Sequence, residues 1–261
     1  MVINHIENKF GGIIPDHFTR SFKKFRDELG YSELFIVMVS IGGDFILENK
    51  DQVKKRLIEL YQDPGNNLHD EIVESIRSGE VDKIFDLSTY QNFYGQMAYA
   101  RTMDNVLTYF KEILAEVIIK KPEILKSRET ERLDFILNYN SIEELQIALA
   151  EKKIETLFYA GIDKIESYFK ERLGIELFKN KEDKIEFNQA IKNRNLIVHN
   201  RGVISKEYVK EFPDYKKDIG LIIQFDYESL SRVNLILQNF VVYLDKELAT
   251  KFSLDLIDNK S

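Results

Sequence analysis

Cysteine and tryptophan are absent from this 261-residue chain. Without thiols there is no disulfide, no thiolate metal site and no cysteine nucleophile, and a reducing compartment is compatible. Proline (4) and glycine (12) are scarce, which suits long helices better than a turn-rich sheet fold. Histidine occurs four times. His5, His17 and His69 stand isolated, with no H-E-x-x-H or other ligand spacing, so neither a metal nor a cofactor is expected. There is no G-x-S-x-G elbow. Gly42-Gly43 lacks the third glycine and the Lys-Ser/Thr of a phosphate loop and reads as a turn. The longest apolar run, Leu34 to Ile41, is too short to span a bilayer, and MVINHIENKF has neither the basic nor the apolar region of a secretory signal. The expectation is a cytoplasmic protein with no membrane partner.

Positive charge is also short: the net charge is −7, which argues against non-specific coating of nucleic acid. The distribution is uneven. Residues 170–217 carry 12 Lys or Arg against 8 Asp or Glu, a local excess of 4. That zone has the charge to meet one RNA segment, and equally fits an ordinary solvated surface.

What is present is ordinary globular composition, 44% hydrophobic and 31% charged, with 18 Phe and 13 Tyr for the core. Apolar residues recur at helical spacing. Asp16 caps an expected helix over 17–29, which Gly30 ends. Leu34 to Ile41 reads as buried helix or strand and breaks at Gly42-Gly43. Further helices are expected over 50–62, 68–77 and 90–119, the last striped by Met97, Ala100, Met103, Leu107, Phe110, Leu114 and Val117. Asp63 to Asn67 is a loop and 123–139 a short helix with loop. Ser141 and Glu144 form a capping box for a helix reaching Leu173, with Gly174 behind it. Asp183 starts a helix that stops before Gly202. A polar connection over 203–218 leads to an extended piece at 219–225. Asp226 with Ser229 opens the last helix, to about Lys251, and the tail from Asp258 reads as frayed. The fold class is all-α: a helical bundle over 81–255, with residues 1–80 as an N-terminal helical extension.

The most informative stretch is Asn193-Arg194-Asn195-Leu196-Ile197-Val198-His199-Asn200-Arg201-Gly202. Arg194 presents a permanent cation with a planar fork for phosphate oxygens. Histidine is the side-chain type suited to general acid or base work near neutral pH, which makes His199 the candidate for it, and Asn195 can orient either. Three asparagines in eight residues are costly in a helix unless they have a role. In a continuous helix Arg194 and His199 lie roughly 140° apart and about 7.5 Å along the axis, so one copy is poorly placed to grip one phosphate. Two copies about a two-fold axis remove that difficulty. A purely structural reading also fits: Arg194 as a salt-bridge residue, and His199 as a helix C-terminal residue favoured by the macrodipole.

Arg194, the Asn195 directly after it and His199 five positions on resemble the R-x4-6-H motif of the HEPN superfamily. The resemblance covers roughly residues 85–252 and leaves 1–80 without a counterpart. The run from Tyr168-Phe169 through Leu173-Gly174-Ile175 and on to Asn200-Arg201-Gly202-Val203-Ile204 looks like HEPN proteins of prokaryotic phage-defence and toxin systems. The resemblance implies a four-helix core, a homodimer with a composite site, and metal-independent endoribonuclease activity in a toxin or abortive-infection effector. Arg194, Asn195 and His199 are then the expected catalytic residues. Lys192, Asn193, Asn200 and Arg201 are the candidate RNA contacts; singly, Lys192 and Arg201 read as solvated charge. An antitoxin or sensor protein is a possible further partner. The alternative is a HEPN-fold binding or assembly module that does not cut.

Overall fold

The computed structural model describes residues 15–61, 74, 78, 87–126 and 130–258, and over them the chain is all-α. Residues 1–14, the expected 63–67 loop and most of the expected 68–77 helix lie outside the described residues. Helix α1 spans Arg20–Glu48. It is capped by Thr19 rather than Asp16, the Thr19 hydroxyl accepting from the Phe22 N–H at 3.1 Å. It also runs straight through Gly30 and Gly42-Gly43, which in the sequence look like breaks. An interior glycine costs only about 1 kcal/mol relative to alanine, and the leucines, isoleucines and phenylalanines around these three sustain the helix. Helix α2, Lys50–Tyr61, follows.

Helix α3, Leu87–Lys120, is the axis of the molecule. It packs against α1 and against three later helices: α5, Ile142–Tyr159, α7, Lys181–Asn200, and α9, Tyr227–Phe252. The expected one-sided stripe therefore widens, and Tyr99, Val106 and Ile113 are buried along with Met103, Phe110, Leu114 and Val117. Between these elements lie a 3-10 turn at Pro122–Leu125 and α4, Leu133–Ile136. The expected helix to Leu173 breaks at Gly161, whose φ of 89° only glycine adopts freely. Helix α6, Ile162–Tyr168, restarts there and widens into a π-turn at Phe169–Leu173, closed by left-handed Gly174. The polar connection holds α8, Lys206–Glu211, and a 3-10 turn at Pro213–Asp218.

Caps fall where local chemistry puts them. Ser141 accepts from the Glu144 N–H at 3.1 Å, and the Glu144 carboxylate accepts from the Asn140 N–H at 2.9 Å. Asp226 accepts from the Ser229 N–H at 2.8 Å. Helix α7 is capped by Asn180, one turn before the expected start at Asp183.

The first half of α1 belongs to the same core as the bundle: Phe18, Phe22, Phe25 and Leu29 join one buried cluster with α3 and α9. The two helices run antiparallel, tied by Ser21 to Glu116, Lys24 to Glu112 and Glu28 to Arg101. The chain ends close this corner. Strand β1, His17–Phe18, pairs antiparallel with β2, Ile257–Asp258, so Asp258 is held in a ladder rather than frayed. Beyond Leu29, α1 continues with most of its apolar side chains exposed. An 18-residue window of it has mean hydropathy 1.4 with 6% of the window buried, and by length and composition it is the one described helix able to cross a membrane.

Candidate functional site

Helix α7 carries the motif, and its rotation is set by what it buries. Phe187 sits in an aromatic cluster, 5.9 Å from the Phe110 ring of α3 and 4.8 Å from the Phe240 ring of α9. Ala190, Asn193 and Leu196 follow it inward at three-residue spacing. Asn193 is thereby a core residue. Its amide nitrogen donates to the Tyr99 hydroxyl at 3.1 Å, and its carbonyl accepts from the Tyr208 hydroxyl. Burial pushes both phenols well above the usual tyrosine range, so both stay protonated, Tyr208 donating to Asn193 and Tyr99 accepting from it.

With Asn193 inward, its neighbours divide between two directions. Arg194 turns to α3, where its Nε donates to Asp104 Oδ1 at 2.8 Å. Its Nη1 donates to Asn195 Oδ1 at 3.3 Å, so the two polar residues of the motif touch. The Arg194 side chain is 23% exposed. Lys192, Asn195 and His199 recur at three- and four-residue spacing and share a second face. Lys192 pairs with Glu211 of α8 at 2.7 Å, and His199 is exposed in the last turn. Because α7 stays helical throughout, the angular separation of Arg194 and His199 holds within one chain.

The helix then stops sharply. Arg201 takes a left-handed φ of 53°, and the Arg201 and Gly202 N–H groups both donate to the Leu196 carbonyl. Gly202 has φ 76°, and a Cβ there would lie 2.9 Å from the Gln96 side chain of α3. Asn200 donates to the Val203 carbonyl. Val203 bridges Ile222, which makes the expected extended piece at 219–225 one side of a small ribbon. Asn200 and Arg201 thus cap and turn the helix end beside His199, both exposed.

The structure sets Lys192, Arg194 and Asn195, all partly buried, and the exposed His199, Asn200 and Arg201 along the C-terminal half of α7 and its cap, with Arg194 turned to α3 and Asn193 apart from them in the core. It also adds residues that the motif gave no hint of: Asp104, which aims Arg194, and Glu211, which holds Lys192. Both are distant in sequence, and Asp104 is readable there only as a charged position on an apolar-striped helix. A groove of about 920 Å³ lies on the Asn193 side of α7, against α9 and the 219–225 segment, and is lined by none of Arg194, Asn195 or His199. Among the described residues no three His, Asp or Glu side chains come together as a metal site. Compared with known proteins, the chain matches no family model, no curated protein and no solved structure.

Proposed function

We propose that the chain is a metal-independent endoribonuclease of the kind the HEPN-like motif implies, working as a cytoplasmic toxin or abortive-infection effector at a composite site of two copies. The observation that carries this reading is the arrangement on α7: a guanidinium aimed by Asp104 and touching Asn195, with His199 exposed at the end of the same unbroken helix. In such a site the 2'-hydroxyl attacks the adjacent phosphorus and the 5'-oxygen leaves. His199 takes or supplies a proton, and Arg194 offers its remaining N–H groups to the phosphorane oxygens. Lys192 and Arg201 hold flanking phosphates, with Asn200 beside them.

The test is purified protein with labelled RNA in EDTA. The expected products carry a 2',3'-cyclic phosphate and a 5'-hydroxyl, and DNA resists because it lacks the nucleophile. His199→Ala should cost about 10²-fold or more, and Arg194→Ala a comparable factor. Arg194→Lys should not rescue activity fully, since an ammonium lacks the bidentate fork. Asn195→Ala should be milder. Activity lost on chelation, equal cutting of DNA, or full activity in His199→Ala would overturn the mechanism. One observation favours the second reading, a non-cutting assembly module: Arg194 already has a carboxylate partner. Intact RNA at every protein concentration would select it.

A further inference from the structure

We propose that the groove between α7, α9 and the 219–225 segment binds a small, neutral, largely apolar molecule that carries a carbonyl oxygen. Its volume of about 920 Å³ lies in the range of sites that enclose a drug-sized ligand. Ile204, Ile223, Phe225, Val233, Ile236 and Leu237 supply apolar walls. The polar groups gather on the α7 side. Asn193 and Gln189 stand one turn apart there, the first bonded to Tyr99 and the second donating to the Tyr215 hydroxyl at 3.5 Å. The walls are fixed without a ligand: Val203 bridges Ile222, the Ile223 N–H donates to the Gly202 carbonyl at 2.8 Å, and the Phe225 N–H donates to Asn92 at 3.0 Å. Ligand sites are usually preformed in this way.

The Tyr99 hydroxyl sets the chemistry of the ligand. Tyr99 lines the groove and is 2% exposed. Its hydroxyl accepts from Asn193 at 3.1 Å, and its own proton meets no acceptor among the described residues. A buried donor left unpaired is costly, and nearly all find a partner. A carbonyl oxygen, with two lone pairs and no charge, supplies one. The charges of the lining exclude an ion. Glu186, Asp218 and Arg232 all reach solvent, and Arg232 lies 3.6 Å from Glu186. No buried charge waits inside to pair with an ionic ligand, and an unpaired ion is expensive to bury. At the mouth, Leu221 is 58% and Ile222 48% exposed, apolar surface that a ligand would cover. The site does not rest on the RNA-cleavage reading, because binding is read without RNA.

The probe is prodan, a neutral naphthyl ketone whose emission moves to the blue on leaving water. The full chain should bind it saturably, one molecule per chain, with that blue shift. Tyr99→Phe removes the donor and should weaken binding roughly three- to tenfold. Ile236→Trp fills the groove and should abolish binding, both variants keeping the circular dichroism of the wild type. Methyl naphthyl ketone should displace the probe, and naphthoate, its anionic counterpart, should do so at least tenfold less well. Met38→Glu, on the exposed apolar part of α1, should change nothing, which separates the groove from that surface. Absence of saturable binding would overturn the proposal. So would binding unchanged in Tyr99→Phe or in Ile236→Trp, binding lost in Met38→Glu, or naphthoate competing as well as the ketone.

Discussion

Two buried polar residues show how single side chains hold the bundle together. Asn193 spans Tyr99 on α3 and Tyr208 on α8 with one amide. Asn193→Ala leaves the buried Tyr99 hydroxyl without its Asn193 partner at about 1–3 kcal/mol, so urea unfolding should show a loss of that order. Asp245 on α9 accepts from the Thr19 N–H at 3.1 Å, from the Thr19 hydroxyl and from the Tyr109 hydroxyl at 3.1 Å. It thus clamps the start of α1 to the core. Burial raises its carboxyl above the ordinary carboxylate range, outweighing those three donors. A raised carboxyl favours the protonated folded state. Its stabilising contribution is complete below the ordinary range and is lost as pH rises through the raised value. Asp245→Asn cannot ionise. The Tm of the variant minus that of the wild type should therefore increase from about pH 4 to pH 8, and a difference that is flat or falling would contradict the assignment.

Among the elements, glycines act in opposite directions. Gly30 lies inside α1 with nothing within 4 Å of where an added methyl group would stand. Gly30→Ala should therefore stabilise by about 0.5–1 kcal/mol, through lower backbone entropy in the unfolded chain. Gly95 lies inside α3, where a Cβ would meet the Phe225 carbonyl oxygen at 2.7 Å. That backbone approach closes the groove end where Asn92 Oδ1 accepts from the Phe225 N–H at 3.0 Å. Gly95→Ala should destabilise by about 1–3 kcal/mol, as overpacking does. Thermal denaturation of the two variants side by side should move Tm in opposite senses. The same contrast explains why a glycine ends α7 at Gly202 but not α1 at Gly30: the first has φ 76° against Gln96, the second is an ordinary helical residue in open space.

Across the whole molecule, α3 joins everything: it contacts α1, α5, α7 and α9, so no layer forms without it. The N-terminal segment is half core and half projection. Phe18, Phe22, Phe25 and Leu29 cover α3, and His17 and Phe18 pair with the far end of the chain. Removing residues 1–80 would bare that side of α3, including Tyr109 and Asn105, the latter bonded to the Phe25 carbonyl at 2.8 Å. A chain starting at Val81 is expected to lose its cooperative thermal transition or to aggregate. A truncated protein with the Tm of the full chain would show that the N-terminal helix is an accessory after all.

Much of what is local in this protein is legible in its sequence alone, although Thr19 rather than Asp16 caps α1 and Asn180 rather than Asp183 opens α7. Helical periods, the Ser141 and Asp226 caps, the Gly174 and Gly202 stops and the all-α class depend on residues within a turn or two of one another. The Arg194-Asn195-His199 spacing is legible for the same reason, as is its consequence that Arg194 and His199 diverge on a helix. Whatever depends on distant partners appears only on folding. Glycine is only weakly unfavourable in a helix, so α1 continues through three of them, and no local signal tells Gly30 from Gly161. Asn193 and Asn195 look alike in a motif; the rotation imposed by Phe187, Ala190 and Leu196 sends one to the core and leaves the other against Arg194. The carboxylate that aims Arg194 lies 90 residues earlier, where only folding brings it within 2.8 Å. The apolar run from Leu34 reads as a buried segment because hydrophobicity reports a preference for leaving water. Which surface satisfies that preference is settled only when helices meet: Phe22 and Phe25 of α1 are buried in the core, whereas Leu34, Phe35 and Met38 of the same helix are exposed.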